Sequence, residues 1–242
     1  MIDSESAGNS ESNCSPGKFN DGQSILAVSL RQEYLKEILA GKRKTALEII
    51  MDAFRSGYSI PGIYMDVLQE ALYEIGSLWE NNRITVADEH LGTAITQFVM
   101  SNLYQHLEIS GEQAGNSVIT GVQGELHQVG ANMVSDILES DGWDVKFLGT
   151  NVPMDGVLQS IRTHQVKLFG ISSTMFFNIP KVIQLVEAVR KEFGESAPRI
   201  MLGGGAFKML PKLPKELEGC LVALNLQEVL DVTRSFATTG AR

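Results

Sequence analysis

Between residues 117 and 237, five short apolar runs alternate with segments of helical period, and that rhythm leaves few folds open. Strands are expected near 117–121, 144–148, 167–172, 199–203 and 220–224. Helices are expected near 129–140, 155–164, 179–193, 206–210 and 226–237. Parallel neighbours need a long crossover connection, and a helix is the usual one, so strand–helix–strand repetition implies a parallel sheet covered on both faces. The expected class is therefore α/β, with a doubly wound, flavodoxin-like sheet of five parallel strands. Such sheets bind ligands in the crevice at the carboxyl ends of the strands, so chemistry is expected from side chains just beyond each strand.

Upstream the pattern changes. Residues 1–23 are rich in Ser, Asn, Gly and acidic groups and almost lack large apolar side chains, which predicts a disordered acidic tail. From 24 to 107, apolar residues recur at three- and four-residue spacing, which predicts an antiparallel four-helix bundle. The first helix carries Leu26, Leu30, Tyr34 and Ile38; the second carries Ala46, Ile49, Ile50 and Phe54. A third opens at Ser59-Ile-Pro61 and ends at Trp79. The fourth opens on a capping box, Thr85 to Asp88, with Ala87, Leu91, Ala94, Ile95, Phe98 and Leu103 as its expected apolar face. In that topology Trp79, Glu89 and His90 share one end of the bundle. Residues 108–116 form a polar, glycine-containing linker to the second domain, 117–242.

Composition removes several function classes. A formal net charge of -9 without a basic stripe argues against direct contact with a nucleic acid backbone. There is no apolar run of membrane-spanning length and no signal-peptide pattern, so a cytoplasmic protein that does not enter membranes is expected. Two cysteines, Cys14 and Cys220, support neither a disulfide framework nor a zinc site.

Four groups fall past strand ends: the loop Glu125-Leu-His127-Gln-Val-Gly130, the stretch Gly149 to Pro153, Ser172-Ser-Thr174, and Gly203-Gly-Gly205. Each alone has an ordinary reading, as a loop histidine, a turn or a helix start. Together they place an imidazole, a nearby carboxylate, hydroxyls and side-chain-free backbone at one crevice. Lys208 and Lys212, near the glycine turn, read as solvated surface. His106 and His164 read as surface residues at helix ends, and Trp143 as packing.

The loop resembles the cobalamin-binding signature Asp/Glu-x-His-x-x-Gly, with Ser172 and Thr174 at the family's Ser-x-Leu/Thr and Gly203-Gly204 at its Gly-Gly. A helical bundle preceding that domain is also the family's arrangement, so the resemblance covers about residues 24–237. It implies that His127 is the lower axial ligand of cobalt and Glu125 its hydrogen-bond acceptor. It also implies that Gly130, Ser172, Thr174, Gly203 and Gly204 accommodate the cofactor's nucleotide tail. Trp79, nine residues, then Glu89-His90 resembles CarH-type photoreceptors, in which the tryptophan covers the upper, adenosyl face. The resemblance then implies that Trp79, Val86, Glu89 and His90 contact that face.

Two departures stand out. The photoreceptors' helix-turn-helix domain is absent, which makes a regulator partner or self-association the expected output, as in AerR-type antirepressors. Glu80 follows Trp79 where some members have a second cobalt-capturing histidine. The leading expectation is a non-enzymatic sensor that binds adenosylcobalamin, with methyl- or hydroxocobalamin as other upper-ligand forms. The alternative is the corrinoid protein of a methyltransferase system, which shares His127 but needs an upper face open to partner enzymes. A nucleotide-binding domain is disfavoured because Gly121-Val-Gln-Gly124 is not Gly-x-Gly-x-x-Gly.

Overall fold

The computed structural model describes residues 21–239, with side chains from 26 to 235. Residues 1–20 of the expected tail, and Cys14 with them, lie outside the described residues. Residues 21–23, expected in the tail, form the first turn of helix α1, Asp21–Leu39. Helix α2 is Arg43–Arg55. The third helical segment has three consecutive parts: a turn, α3 (Ile60–Gly62), a π-helical stretch, Ile63–Gln69, and α4 (Glu70–Glu80). Its start is the expected cap, with the Gly62 N–H donating to Ser59 Oγ at 3.2 Å. Helix α5, Val86–Tyr104, opens on the complete Thr85/Asp88 capping box.

The buried face of α5 differs from the expected one. Ala87, Leu91 and Ala94 are exposed, while Gly92, Ile95, Thr96, Val99, Met100 and Leu103 face the core. Gly92 lets Ile75 of α4 approach so closely that a Cβ there would stand 2.5 Å from Ile75 Cδ1. Thr96 is satisfied by Tyr34, their hydroxyls 2.9 Å apart, and donates to the Gly92 carbonyl. A glycine and a threonine on the buried stripe carry no apolar signal, so the pattern in sequence points to the neighbouring stripe.

The second half follows the expected rhythm: β1 (Gly115–Gly121), α6 (Val129–Ser140), β2 (Trp143–Phe147), α7 (Met154–His164), β3 (Leu168–Ser172), α8 (Ile179–Phe193), β4 (Arg199–Gly203), α9 (Gly205–Lys208), β5 (Leu221–Val222) and α10 (Leu226–Thr239). The five strands pair in parallel in the order β2-β1-β3-β4-β5. The order reverses between β1 and β3, which makes the gap between their carboxyl ends the topological switch point. One face of the sheet packs Val118, Phe169, Ile171 and Leu202 beneath α7 and α8. The other packs Ile119, Leu168 and Met201 against α6 and α10.

Helix α6 belongs to both halves. Its Val129, Met133 and Ile137 join the bundle core, and Ala131 and Leu138 join the sheet core. Two tyrosines tie the bundle to this helix: Tyr64 donates to Asp136 Oδ2 at 2.7 Å and Tyr104 to Glu139 Oε2 at 2.6 Å. Burial pushes the Asp136 carboxyl up to about 6 against the Tyr64 hydrogen bond, which pulls it down. Among the described residues no helix is long and apolar enough to cross a membrane.

Candidate functional site

The loop after β1 is pinned by backbone that requires glycine. Gly121 N–H donates to the Gly149 carbonyl at 2.9 Å, and a Cβ on Gly121 would stand 2.7 Å from Thr150 Cγ2. Gly124, at φ +86, donates to Asn151 Oδ1 at 2.8 Å. These contacts deliver Glu125 into the interior, fully buried, and leave His127 half-exposed at the crevice.

Glu125 is the centre of the local network. Its Oε1 accepts from His127 Nδ1 at 2.6 Å and from the Leu126 and His127 backbone N–H groups, each at 3.0 Å. Its Oε2 accepts from Thr174 N at 2.9 Å, Met175 N at 3.3 Å and Asn178 Nδ2 at 3.2 Å, all beyond β3. Burial alone would raise its pKa; the hydrogen bonds from the His127 ring and from backbone N–H groups outweigh it and bring the carboxyl down to about 2. An ionised carboxylate only accepts, so His127 Nδ1 carries the proton and Nε2 keeps its lone pair. The Glu125 hydrogen bond raises the His127 pKa against the lowering effect of burial, and the charge of Glu89 adds to the rise.

A cavity of about 760 Å³ lies between the bundle and the α/β half. Its bundle side carries Trp79, Val86, Glu89 and His90; its sheet side carries His127, Gly130, Ser172, Thr174, Gly203 and Gly204. Every residue assigned to the cofactor from sequence lines this one cavity except Glu125, which stands behind His127; the stretch Gly149 to Pro153, also expected at the crevice, does not line it. Trp79 is 45% exposed at the rim. Glu89 accepts from the Thr93 hydroxyl at 3.0 Å and pairs with His90 Nδ1.

Some details differ from the sequence reading. Gly204 lines the cavity, yet its glycine is required by the backbone: φ is +101, and a Cβ would lie 2.3 Å from the Ser173 carbonyl oxygen. Lys208 is not free surface. It lines the cavity, donates to the Tyr73 hydroxyl at 3.2 Å and sits 5.0 Å from that ring's centroid. Lys212 is exposed, His106 packs its ring 5.1 Å from Phe54, and Trp143 is buried in the sheet core.

Several cavity residues escaped the sequence reading. Gly76 and Gly130 both line the cavity, and a Cβ on either would meet nothing within 4 Å. Gly130 was expected for its motif and Gly76 was not, because a glycine inside a helix carries no signal of what faces it. Gly170 of β3 and Tyr73 of α4 were not expected there either.

This donor set fits a corrinoid. Among the described residues no group of three or more His, Cys, Asp or Glu side chains could hold a metal ion. A single imidazole aimed into a large cavity suits a metal that brings its remaining ligands in a macrocycle. Gly76 and Gly130 leave space that side chains would fill, and a carboxylate behind the imidazole fixes its tautomer as metal-bound histidines require.

Comparisons with known proteins agree. Residues 115–224 and residues 30–104 each match a B12 binding domain family. The dimethylamine corrinoid protein 3 of Methanosarcina acetivorans is 22% identical over 176 residues, 72% of this chain and 82% of that protein. A corrinoid protein of Desulfitobacterium hafniense is 19% identical over 184 residues, 74% of this chain and 85% of that protein. The monomethylamine corrinoid protein structure from Methanosarcina barkeri superposes with a TM-score of 0.76 at 19% identity, covering 86% of this chain and 99% of that one. With both regions matched, the chain is a cobalamin-binding domain protein with an N-terminal helical cap.

Proposed function

We propose that this protein is the corrinoid protein of a methyltransferase system, holding cobalamin between the cap, residues 24–107, and the domain 117–242. The observation that carries this reading is the similarity to corrinoid proteins over about three quarters of the chain and more than four fifths of theirs. It favours the alternative drawn from the sequence over the photoreceptor. When bound, cobalamin supplies a cobalt centre that accepts and releases a methyl group.

The residues divide the work. Glu125, held ionised, keeps the His127 Nε2 lone pair aimed into the cavity and makes the imidazole a stronger donor. Ser172, Thr174, Gly203 and Gly204 receive the tail. Trp79, Val86, Glu89 and His90 shelter the upper face, and a swing of the cap would give partner methyltransferases access. The protein itself is then a carrier in the cytoplasm, with catalysis residing in its partners.

One observation supports a second reading, the adenosylcobalamin sensor. Trp79, Glu89 and His90 line the same cavity as His127, the arrangement of CarH-type photoreceptors. Loading the purified protein with methylcobalamin and with adenosylcobalamin separates the two. A carrier retains methylcobalamin and, when a methyltransferase that activates a thiol is added, yields its methyl group to that thiol with loss of the thiol proton, with an unchanged elution volume after green light. Selective retention of adenosylcobalamin with a light-dependent change in elution would reject the carrier.

A further inference from the structure

A second, smaller cavity lies on another face of α6. Its volume is about 300 Å³, and its walls come from Met100 and Tyr104 of α5, Asn132, Asp136 and Glu139 of α6, and Phe147 at the end of β2. It shares no lining residue with the large cavity. The helix period keeps the two apart. Asn132, Asp136 and Glu139 follow one another at four- and three-residue spacing along one stripe of α6, while Val129 and Met133, on the next stripe, line the large cavity.

Acceptors are in excess in this space. Asp136 is 6% exposed, and its Oδ2 accepts from Tyr64. Its Oδ1 has no hydrogen bond among the described residues and is not sealed in by protein, so it meets the cavity. Glu139 repeats the arrangement: Tyr104 holds Oε2, and Oε1 has no hydrogen bond among the described residues. The Asn132 amide, one turn before Asp136, has no side-chain hydrogen bond among them either. No Lys, Arg or His lines the cavity, and no ion pair among the described residues reaches either carboxylate. Burial pushes the Asp136 carboxyl up, and the charge of Glu139 adds to the rise, as expected for negative charge without a counter-ion. The remaining wall is apolar, with the Met100 thioether and the Tyr104 and Phe147 rings.

We propose that this cavity is a second binding site, for a small alkylammonium cation that carries both N–H and methyl groups. The N–H donates to the free oxygens of Asp136 and Glu139, and the positive charge supplies the missing counter-ion. The methyl groups lie against Met100 and the Tyr104 and Phe147 rings, whose faces attract a cation. A divalent metal fits poorly, because it takes about six or more oxygen ligands, and among the described residues no group of three or more His, Cys, Asp or Glu side chains could hold one. The site goes beyond the carrier function and does not depend on the cofactor. An occupant touches α5 of the cap and both α6 and β2 of the α/β half. It therefore ties the two halves on the side where Tyr64 and Tyr104 already join them.

The test uses the full chain without cofactor and the chloride salts of trimethylammonium, tetramethylammonium, ammonium and potassium at equal ionic strength. Occupancy is read from Tm, which a ligand of the folded state raises by mass action. Trimethylammonium should raise Tm saturably, with a Kd on the order of 0.1–1 mM for a ligand of this size. Ammonium lacks the methyl groups and tetramethylammonium lacks the N–H, so each should bind roughly tenfold more weakly. Potassium should have no effect. A Tm rise from trimethylammonium no larger than that from potassium, or tetramethylammonium binding as tightly as trimethylammonium, overturns the proposal. Two variants localise the site. Asp136→Asn keeps an acceptor for Tyr64 and removes the charge, and trimethylammonium affinity should fall by roughly tenfold or more. Phe147→Leu should lower trimethylammonium to the level of ammonium while ammonium itself is unchanged. Unaltered trimethylammonium affinity in either variant is contrary to the proposal.

Discussion

Replacing Glu125 by Gln tests the part of the site on which the rest depends. The carboxylate accepts six hydrogen bonds, three on each oxygen. A glutamine keeps the shape but replaces one oxygen by an amide NH2 group, so whichever way it lies it aims N–H groups at donors. The magnitude follows from the acidity. Lowering the carboxyl from its usual 4.5 to about 2 corresponds to roughly 3 kcal/mol of stabilisation, at ~1.4 kcal/mol per tenfold in proton affinity. Because the folded value lies below the unfolded one, that stabilisation is present above about pH 4.5 and is lost as pH falls toward 2. Urea unfolding of the cofactor-free protein should therefore show Glu125→Gln less stable by about 3 kcal/mol at pH 7, the gap narrowing below pH 4.5. Cobalamin titration of the same samples should show about 10- to 100-fold weaker binding. A variant with unchanged stability and unchanged affinity would refute the assignment of Glu125 as the anchor of His127.

Other substitutions probe the scaffold. His127→Ala should leave the fold intact by circular dichroism yet remove the imidazole-ligated cobalt spectrum from bound cobalamin. Gly92→Val puts a branched side chain where a Cβ already meets Ile75 at 2.5 Å, and thermal unfolding should show a loss of about 1–3 kcal/mol. Gly204→Ala strains φ +101 and drives a methyl into the Ser173 carbonyl; about 2 kcal/mol or more of stability should be lost in urea unfolding. Asp136 has its folded pKa raised to about 6, so its protonated form stabilises the fold at low pH and that contribution is lost as pH rises through 6. Asp136→Asn should remove this dependence, and its stability relative to wild type should improve by up to about 3 kcal/mol between pH 4 and 7.

What was legible in the sequence was what depends on neighbours along the chain. The strand–helix alternation gave the sheet, and the Glu125–His127 pair was visible because only Leu126 separates the carboxylate from the ring it holds. The second oxygen of Glu125 reaches Thr174, Met175 and Asn178, about fifty residues on, and no spacing rule anticipates that bond. Gly170 inside β3 reads as a weak strand residue; its use emerges only when the register sets it between Ile119 and Met201. Tyr73 and Lys208 are 135 residues apart. The photoreceptor expectation had a related cause. The Trp79 to His90 spacing describes one rim of the cavity, while the similarity to corrinoid proteins extends over most of both halves.

The two tyrosine ties to α6 also restrict how the molecule can move. Asp136 and Glu139 are three residues apart on one helix, so Tyr64 and Tyr104 attach the cap along a single line, backed by the apolar residues that α6 lends to the bundle core. On the far rim the polar attachment is Tyr73 with Lys208, one exposed contact. An object fastened along one edge and lightly held at the other opens like a door. Such an opening would turn about α6, keeping the buried Tyr64–Asp136 bond and the exposed Tyr104–Glu139 bond, with Tyr73 and Lys208 as its catch.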